Sequence, residues 1–128
     1  MSKRVEELNH RIRLSLDKDI GSAYKAAWIS AKAIDGVASV DIYVEDLDGN
    51  FRFCHRGREL SSLAYELWEE SSATAERWNE ITFKAVFGDP DLKIEDRREL
   101  NEEEFFDTAR RDEWVIAHLG NVEVIYPD

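Results

Sequence analysis

The sequence predicts an α+β fold, a mostly antiparallel sheet of four to five strands with helices packed on it, in the order α-α-β-β-α-β-β-α with strand character in the last residues. Three observations carry this expectation. Apolar residues recur at three- and four-residue spacing in some stretches and alternate with a period of two in others, which separates helices from half-buried strands. Links between successive strands are short enough for antiparallel pairing, except the crossing through residues 59 to 78. A chain of 128 residues has the usual size of one domain, and 43% apolar content is too rich for a disordered chain even with 35% charged.

Val5, Leu8, Ile12, Leu16 and Ile20 share one stripe, so a helix is expected from about residue 3 to 19, ended by Gly21. Ser22 is placed to cap a second helical run in which Ala23, Ala27, Ala31 and Ile34 share a face and Gly36 is the stop. Residues 1 to 36 are therefore expected to be a helical N-terminal region. From Ser39 the period becomes two: Val40, Ile42 and Val44 alternate with Asp41, Tyr43 and Glu45. Asp48-Gly49 then turns the chain into Phe51 and Phe53, completing a hairpin.

Leu60, Leu63, Ala64, Leu67 and Trp68 restore the helical stripe, with Glu59, Glu66 and Glu69 opposite. Ile81, Phe83, Ala85 and Phe87 outline a third strand, Gly88 and Pro90 a turn, and Leu92 and Ile94 a return strand that the segment from Glu95 to Leu100 leaves. Asn101 with Glu104 is a capping box, and it opens a last helix from about 102 to 119 that Gly120-Asn121 closes. Residues 37 to 120 thus form a sheet-and-helix region of a single domain, and 121 to 128 a tail.

Catalytic motifs are missing from the sequence. Cys54 precedes His55, but neighbours on a strand point to opposite faces, so the imidazole is not the base for the thiol. His10, His55 and His118 lack metal-ligand spacing, and His10 and His118 read as surface residues. Asp46, Asp48 and Asn50 resemble the start of a calcium loop, yet Phe51 stands where glycine is needed and Gly57 where glutamate is, which leaves a hairpin turn. Acid pairs such as Glu103 and Asp107 arise by chance among 28 carboxylates. The expectation is a protein that is not an enzyme, with no cofactor and no metal.

Partners are bounded by charge. The net charge of −11 repels phosphate backbones and anionic surfaces, and the basic clusters at residues 55 to 58, 97 to 98 and 110 to 111 are each flanked by acids. Neither nucleic acid nor membrane is expected. A single cysteine excludes an internal disulfide, and no stretch approaches the ~20 apolar residues of a membrane span, so a cytoplasmic setting is expected. Between residues 95 and 113 nine carboxylates face four arginines. That segment is either a solvated helix face or a docking surface for a basic protein. In the second reading Glu102, Glu103, Glu104 and Asp107 steer the partner and Trp114 anchors it, Trp78 being the other candidate anchor.

The helix ending in LAYELW, Trp78 opening WNEITFKAVF just before the third strand, the Gly/Asp turn, the return strand LKIEDR, and Arg111, Trp114, Leu119 and Gly120 in RRDEWVIAHLG together resemble the YezG-like immunity proteins over residues 37 to 120. These are small bacterial antitoxins that neutralise secreted polymorphic toxins, often nucleases. The resemblance implies tight complex formation that occludes a toxin's active site. The alanine-rich run and the tail after Gly120 depart from the pattern, as does the small amount of tyrosine in the return strand. Two other readings stand beside it: a regulatory or scaffold domain, dimeric through a sheet edge or the alanine-rich helix, and a small-ligand binder or enzyme.

Overall fold

Helix α1 (Lys3–Ile20) buries Leu8, Ile12 and Leu16 along the expected stripe, and the chain leaves it at Gly21, whose φ of 74° is strained for any residue with a Cβ. A computed structural model describes residues 3–21, 23–54, 58–74 and 77–127. Ser22, His55, Arg56 and Gly57 lie outside the described residues.

The run after Gly21 is strand β1 (Tyr24–Ile34), not a second helix. Ala27, Ile29, Ala31 and Ala33 face one side and Ala26, Trp28, Ser30 and Lys32 the other, so an alanine run that suits a helix by propensity is read with a period of two. Tertiary context decides, because β1 is hydrogen-bonded along both edges. It pairs antiparallel with β2 (Val37–Asp46) on one side and with β4 (Glu80–Val86) on the other. The signal was local: Gly36, expected as a helix stop, belongs with Asp35 to the tight turn of the β1–β2 hairpin, with Ile34 opposite Val37 and Gly36 at φ 93°. A helical region over residues 1 to 36 is thereby corrected to one helix and one central strand.

The remaining elements are β3 (Phe51–Cys54), α2 (Arg58–Ser72), β5 (Lys93–Arg98), α3 (Glu102–Phe105), α4 (Arg110–Leu119) and β6 (Val124–Ile125). Six strands stand in the order β5-β4-β1-β2-β3-β6, one more than the upper expectation, and every pairing is antiparallel except β3 with β6. The sheet is therefore open and mixed but mostly antiparallel, and the fold is α+β as expected. Glu95, Asp96, Arg97 and Arg98 do not leave the sheet; they are the body of edge strand β5. The last helix is also interrupted. Asn101 caps α3 through the expected capping box, but Phe106 ends it after four residues and α4 begins at Arg110.

The faces of the sheet differ in chemistry. Against α1 and α2 lies an aliphatic core including Ile29, Ile42, Leu60, Leu63, Ile81 and Phe83. Against α4 lies a smaller, aromatic core of Ala26, Trp28, Tyr43, Phe53, Trp114 and Val115. Alanines at 27, 31 and 33, at most 1% exposed, keep β1 low so that the helices can approach the sheet.

Ala31→Leu places a large side chain in this closed layer and is expected to destabilise the protein by about 1–3 kcal/mol in urea unfolding. Ser30→Val, on the other face, is expected to stay within about 0.5 kcal/mol. The opposite ranking would reverse the assignment of the two faces.

Candidate functional site

The second face holds polar groups that the first lacks. In β4 the alternation that sends Ile81, Phe83 and Ala85 into the aliphatic core sends Glu80, Thr82 and Lys84 to the α4 side. Glu80 is 4% exposed, a setting in which a carboxylate needs a partner. Lys32 is its cross-strand neighbour on β1 and Arg98 on β5, while Arg110 from the first turn of α4 donates to both carboxylate oxygens through Nε and Nη2. The fork geometry suits guanidinium.

This pair fixes the start of α4, and Lys32 fixes α3. Its Nζ donates to the Phe105 carbonyl at 3.3 Å and lies 5.6 Å from the centre of the Phe105 ring. Further along α4, Trp114 stacks on Tyr43 at 4.7 Å and its indole N–H donates to Thr82 Oγ1 at 2.9 Å. Arg111 reaches Asp41 at 3.7 Å and sits over the rings of Phe53 and Tyr126, binding the C-terminal segment to the sheet.

Between this frame and the α3–α4 junction lies a cleft of about 540 Å³. Ser30 and Tyr43 line it from the sheet, Trp114 from α4, and Phe106, Asp107 and Thr108 from the junction. Its titratable groups are of both signs: Lys32, Arg110 and Arg111 against Asp41, Glu80 and Asp107. Burial, reinforced by Tyr126 and Asp41, pushes the Tyr43 hydroxyl well above its ordinary value, so it is a neutral hydrogen-bonding group. Ser30 and Ser39 line the cleft with no histidine among the described lining residues. The arrangement is suited to receiving a side chain of mixed polar and apolar character.

The expected site residues divide on inspection. Glu102 and Glu103 are exposed at the start of α3, and their carboxylates make no hydrogen bond or ion pair to a described residue. Glu104 is exposed but its carboxylate accepts from the Asn101 N–H in the capping box, and Asp107 accepts from the Ala109 N–H at 2.9 Å. Trp114 is 5% exposed and part of the aromatic core, so it cannot serve as a protruding anchor; Trp78, 2% exposed, is likewise core. The aromatic side chain that does protrude is Phe106, 62% exposed, with Ile116 on α4 at 66%. Periodicity runs one helix through residues 102 to 119, with Phe106 at the border of its mixed stripe. Only the break after Phe105 turns it outward.

The acidic segment is narrower than its composition. Glu95 pairs with His118 at 3.6 Å, Asp96 with Arg98 at 2.7 Å and Glu99 with Arg77 at 3.5 Å. Arginines thus offset Asp96 and Glu99 at the β5 end of the segment, and carboxylates without a cationic partner lie at Glu102, Glu103, Asp112 and Glu113, in the first turns of α3 and α4. His118, expected at the surface, has a side chain only 13% exposed and packs on Trp114; His10 is exposed. Cys54 is half-buried against the aliphatic core. The carboxylate of Asp46 accepts from the Asp48 and Asn50 N–H groups and from Arg52, which holds its pKa below the usual carboxylate value, so it closes the hairpin turn as expected.

No protein-family model matches the chain, and comparison with curated proteins gave no match. Among the described residues no cluster of three or more histidine, cysteine or acidic side chains could hold a metal ion, and no helix is long and apolar enough to cross a membrane.

Arg110→Leu leaves Glu80 buried without its partner and is expected to cost about 3–5 kcal/mol, most of it recovered in the double variant Glu80→Leu/Arg110→Leu. Chemical denaturation of the single and double variants measures this; equal losses in both would show that the two residues are not coupled. Tyr43 gives an alkaline signature. Its raised pKa means that the fold favours the neutral phenol, so its contribution is full below pH about 10 and is lost as pH rises through the folded value. Tyr24, also raised by burial and by Asp17, adds to the same slope. Tyr43→Phe is expected to flatten, without abolishing, the fall in unfolding midpoint above about pH 10.

Proposed function

We propose that this chain is a non-catalytic binding protein of the YezG-like immunity kind, which neutralises a toxin with a basic surface by forming a tight complex. One observation carries the reading: unpaired Glu102 and Glu103 stand on α3 close in sequence to Phe106, an exposed aromatic ring at the mouth of a cleft. Carboxylates without intramolecular partners steer a basic partner, and a protruding aromatic residue supplies the desolvated contact that sets the dissociation rate. The partner-binding set is then Glu102, Glu103, Glu104 and Asp107 for charge, Phe106 for anchoring, and Trp114 as cleft wall. A nuclease fits this chemistry because its substrate groove is basic.

Catalysis has little to work with at this surface. The cleft's carboxylates are tied to arginines or to backbone N–H groups, and Tyr43 is neutral. Dimerisation through the alanine-rich run has no support, since β1 lies in mid-sheet. The exposed edge of β5 carries Lys93, Glu95, Asp96, Arg97 and Arg98, a charge pattern that discourages strand pairing between copies.

Co-expression with the product of the neighbouring reading frame, scored by growth, tests the proposal. Rescue by the wild type is expected. Glu102→Lys/Glu103→Lys should slow association about tenfold or more at low salt with little effect at high salt, while Phe106→Ala should speed dissociation by roughly 30-fold, equivalent to about 2 kcal/mol. A benign neighbour with no rescue, or binding indifferent to salt and to all three substitutions, overturns the proposal.

A further inference from the structure

The cleft between the sheet and the α3–α4 junction has hydrogen-bonding capacity of one kind left over. Two of its carboxylates are committed to arginines: Glu80 accepts from Arg110, and Asp41 lies 3.7 Å from Arg111. The third, Asp107, is exposed on the junction and accepts from the Ala109 N–H. Lys32, half-buried on the floor, is the cation of the cleft with which no carboxylate pairs among the described residues, because Arg110 occupies both oxygens of its cross-strand neighbour Glu80. Of the three N–H donors on its ammonium group, one goes to the Phe105 carbonyl at 3.3 Å.

Register places two more donors beside it. Lys32 stands opposite Ser39 on β2, and Ser30, the next residue on the same face of β1, stands opposite Asp41. Directly opposed residues have Cβ atoms about 4.5–5.5 Å apart, so Ser30, Lys32 and Ser39 form one patch lining the cleft. Neither serine hydroxyl bonds to a described residue; Ser30 Oγ is open to solvent and Ser39 is exposed. An apolar wall adjoins the patch. The centre of the Phe105 ring lies 5.6 Å from Lys32 Nζ, and Phe106 meets Phe105 edge to face at 5.0 Å. A volume of about 540 Å³, aromatic walls and a few convergent donors are the features of a small-ligand site.

We propose that this cleft binds a small organic monocarboxylate, which accepts from Lys32 and from the hydroxyls of Ser30 and Ser39 while its apolar body lies against Phe105 and Phe106. One unpaired cation matches one negative charge. A dianion would bring a second charge that nothing in the patch offsets, on a chain whose net charge is already −11. Hydrogen bonds to an ionised acceptor are the stronger kind, so the carboxylate and not the body sets the selectivity. The inference goes beyond the toxin reading and does not rest on it, since Glu102 and Glu103 take no part.

Titration of the free protein with 3-phenylpropionate, 3-phenylpropan-1-ol and 3-phenylpropylamine, followed in two-dimensional proton–nitrogen NMR spectra, tests this. The acid is expected to shift the amide signals of Ser30, Lys32 and Phe106 saturably. The alcohol, with the same ring and chain and no charge, should bind about tenfold more weakly, and the amine more weakly still. Lys32→Met should remove the preference for acid over alcohol while alcohol binding persists; if Lys32 served only to hold α3, both would weaken alike. Should that variant not fold, Ser30→Ala decides the matter, with an expected loss of about threefold in the preference. The proposal is overturned by the absence of a saturable shift with the acid, by equal affinity for acid and alcohol in the wild type, by tighter binding of the amine, or by a preference that the folded variant leaves unchanged.

Discussion

Strand β1 is the constraint on which the rest of the molecule depends. Hydrogen-bonded on both edges and covered on both faces, it must present side chains small enough for helices on one side and polar enough to meet α3 on the other. Ala27, Ala31 and Ala33 meet the first demand, while Ser30 and Lys32 meet the second. Because β1 pairs with both β2 and β4, a fault in its register would displace both hairpins at once.

The aromatic face is organised by charge and rings together. Glu80 in β4 holds Arg110, Lys32 holds the carbonyl of Phe105, and Thr82 holds the indole of Trp114, so three adjacent positions of the sheet fix the path of α3 and α4. That path makes Phe106 protrude. The proposed binding surface is therefore a consequence of buried polar contacts several residues away, and the acids on it matter less by number than by which of them the fold leaves unpaired.

Much of the architecture was legible because the local signals agree with one another. The stripes of α1 and α2 are unambiguous, the Asp48-Gly49 hairpin combines alternation with a turn that needs positive φ, and Asn101 and Glu104 form the capping box that their spacing implies. Where the signals competed, the reading failed. Alanine favours helices in isolation, and its spacing at 23, 27 and 31 satisfies both periods, so the run through β1 could be resolved only by the Asp35-Gly36 turn and by the partners on either side. The edge strand β5 was cut short because its charged residues look like a loop when read without β4 beside them.

By itself, the sequence determined the α+β class, the identity of the helices that build the aliphatic core, and the strong acidity of the segment before α4. These depend on periodicity and composition, which are local properties. Only the tertiary structure decided that Trp78 and Trp114 are core, that Glu95, Asp96 and Glu99 are paired while Glu102 and Glu103 are not, and that Phe106 is exposed. Exposure and ion pairing arise between residues distant in the chain. A pattern along one segment cannot register them until strands such as β1 and β4 bring the partners together.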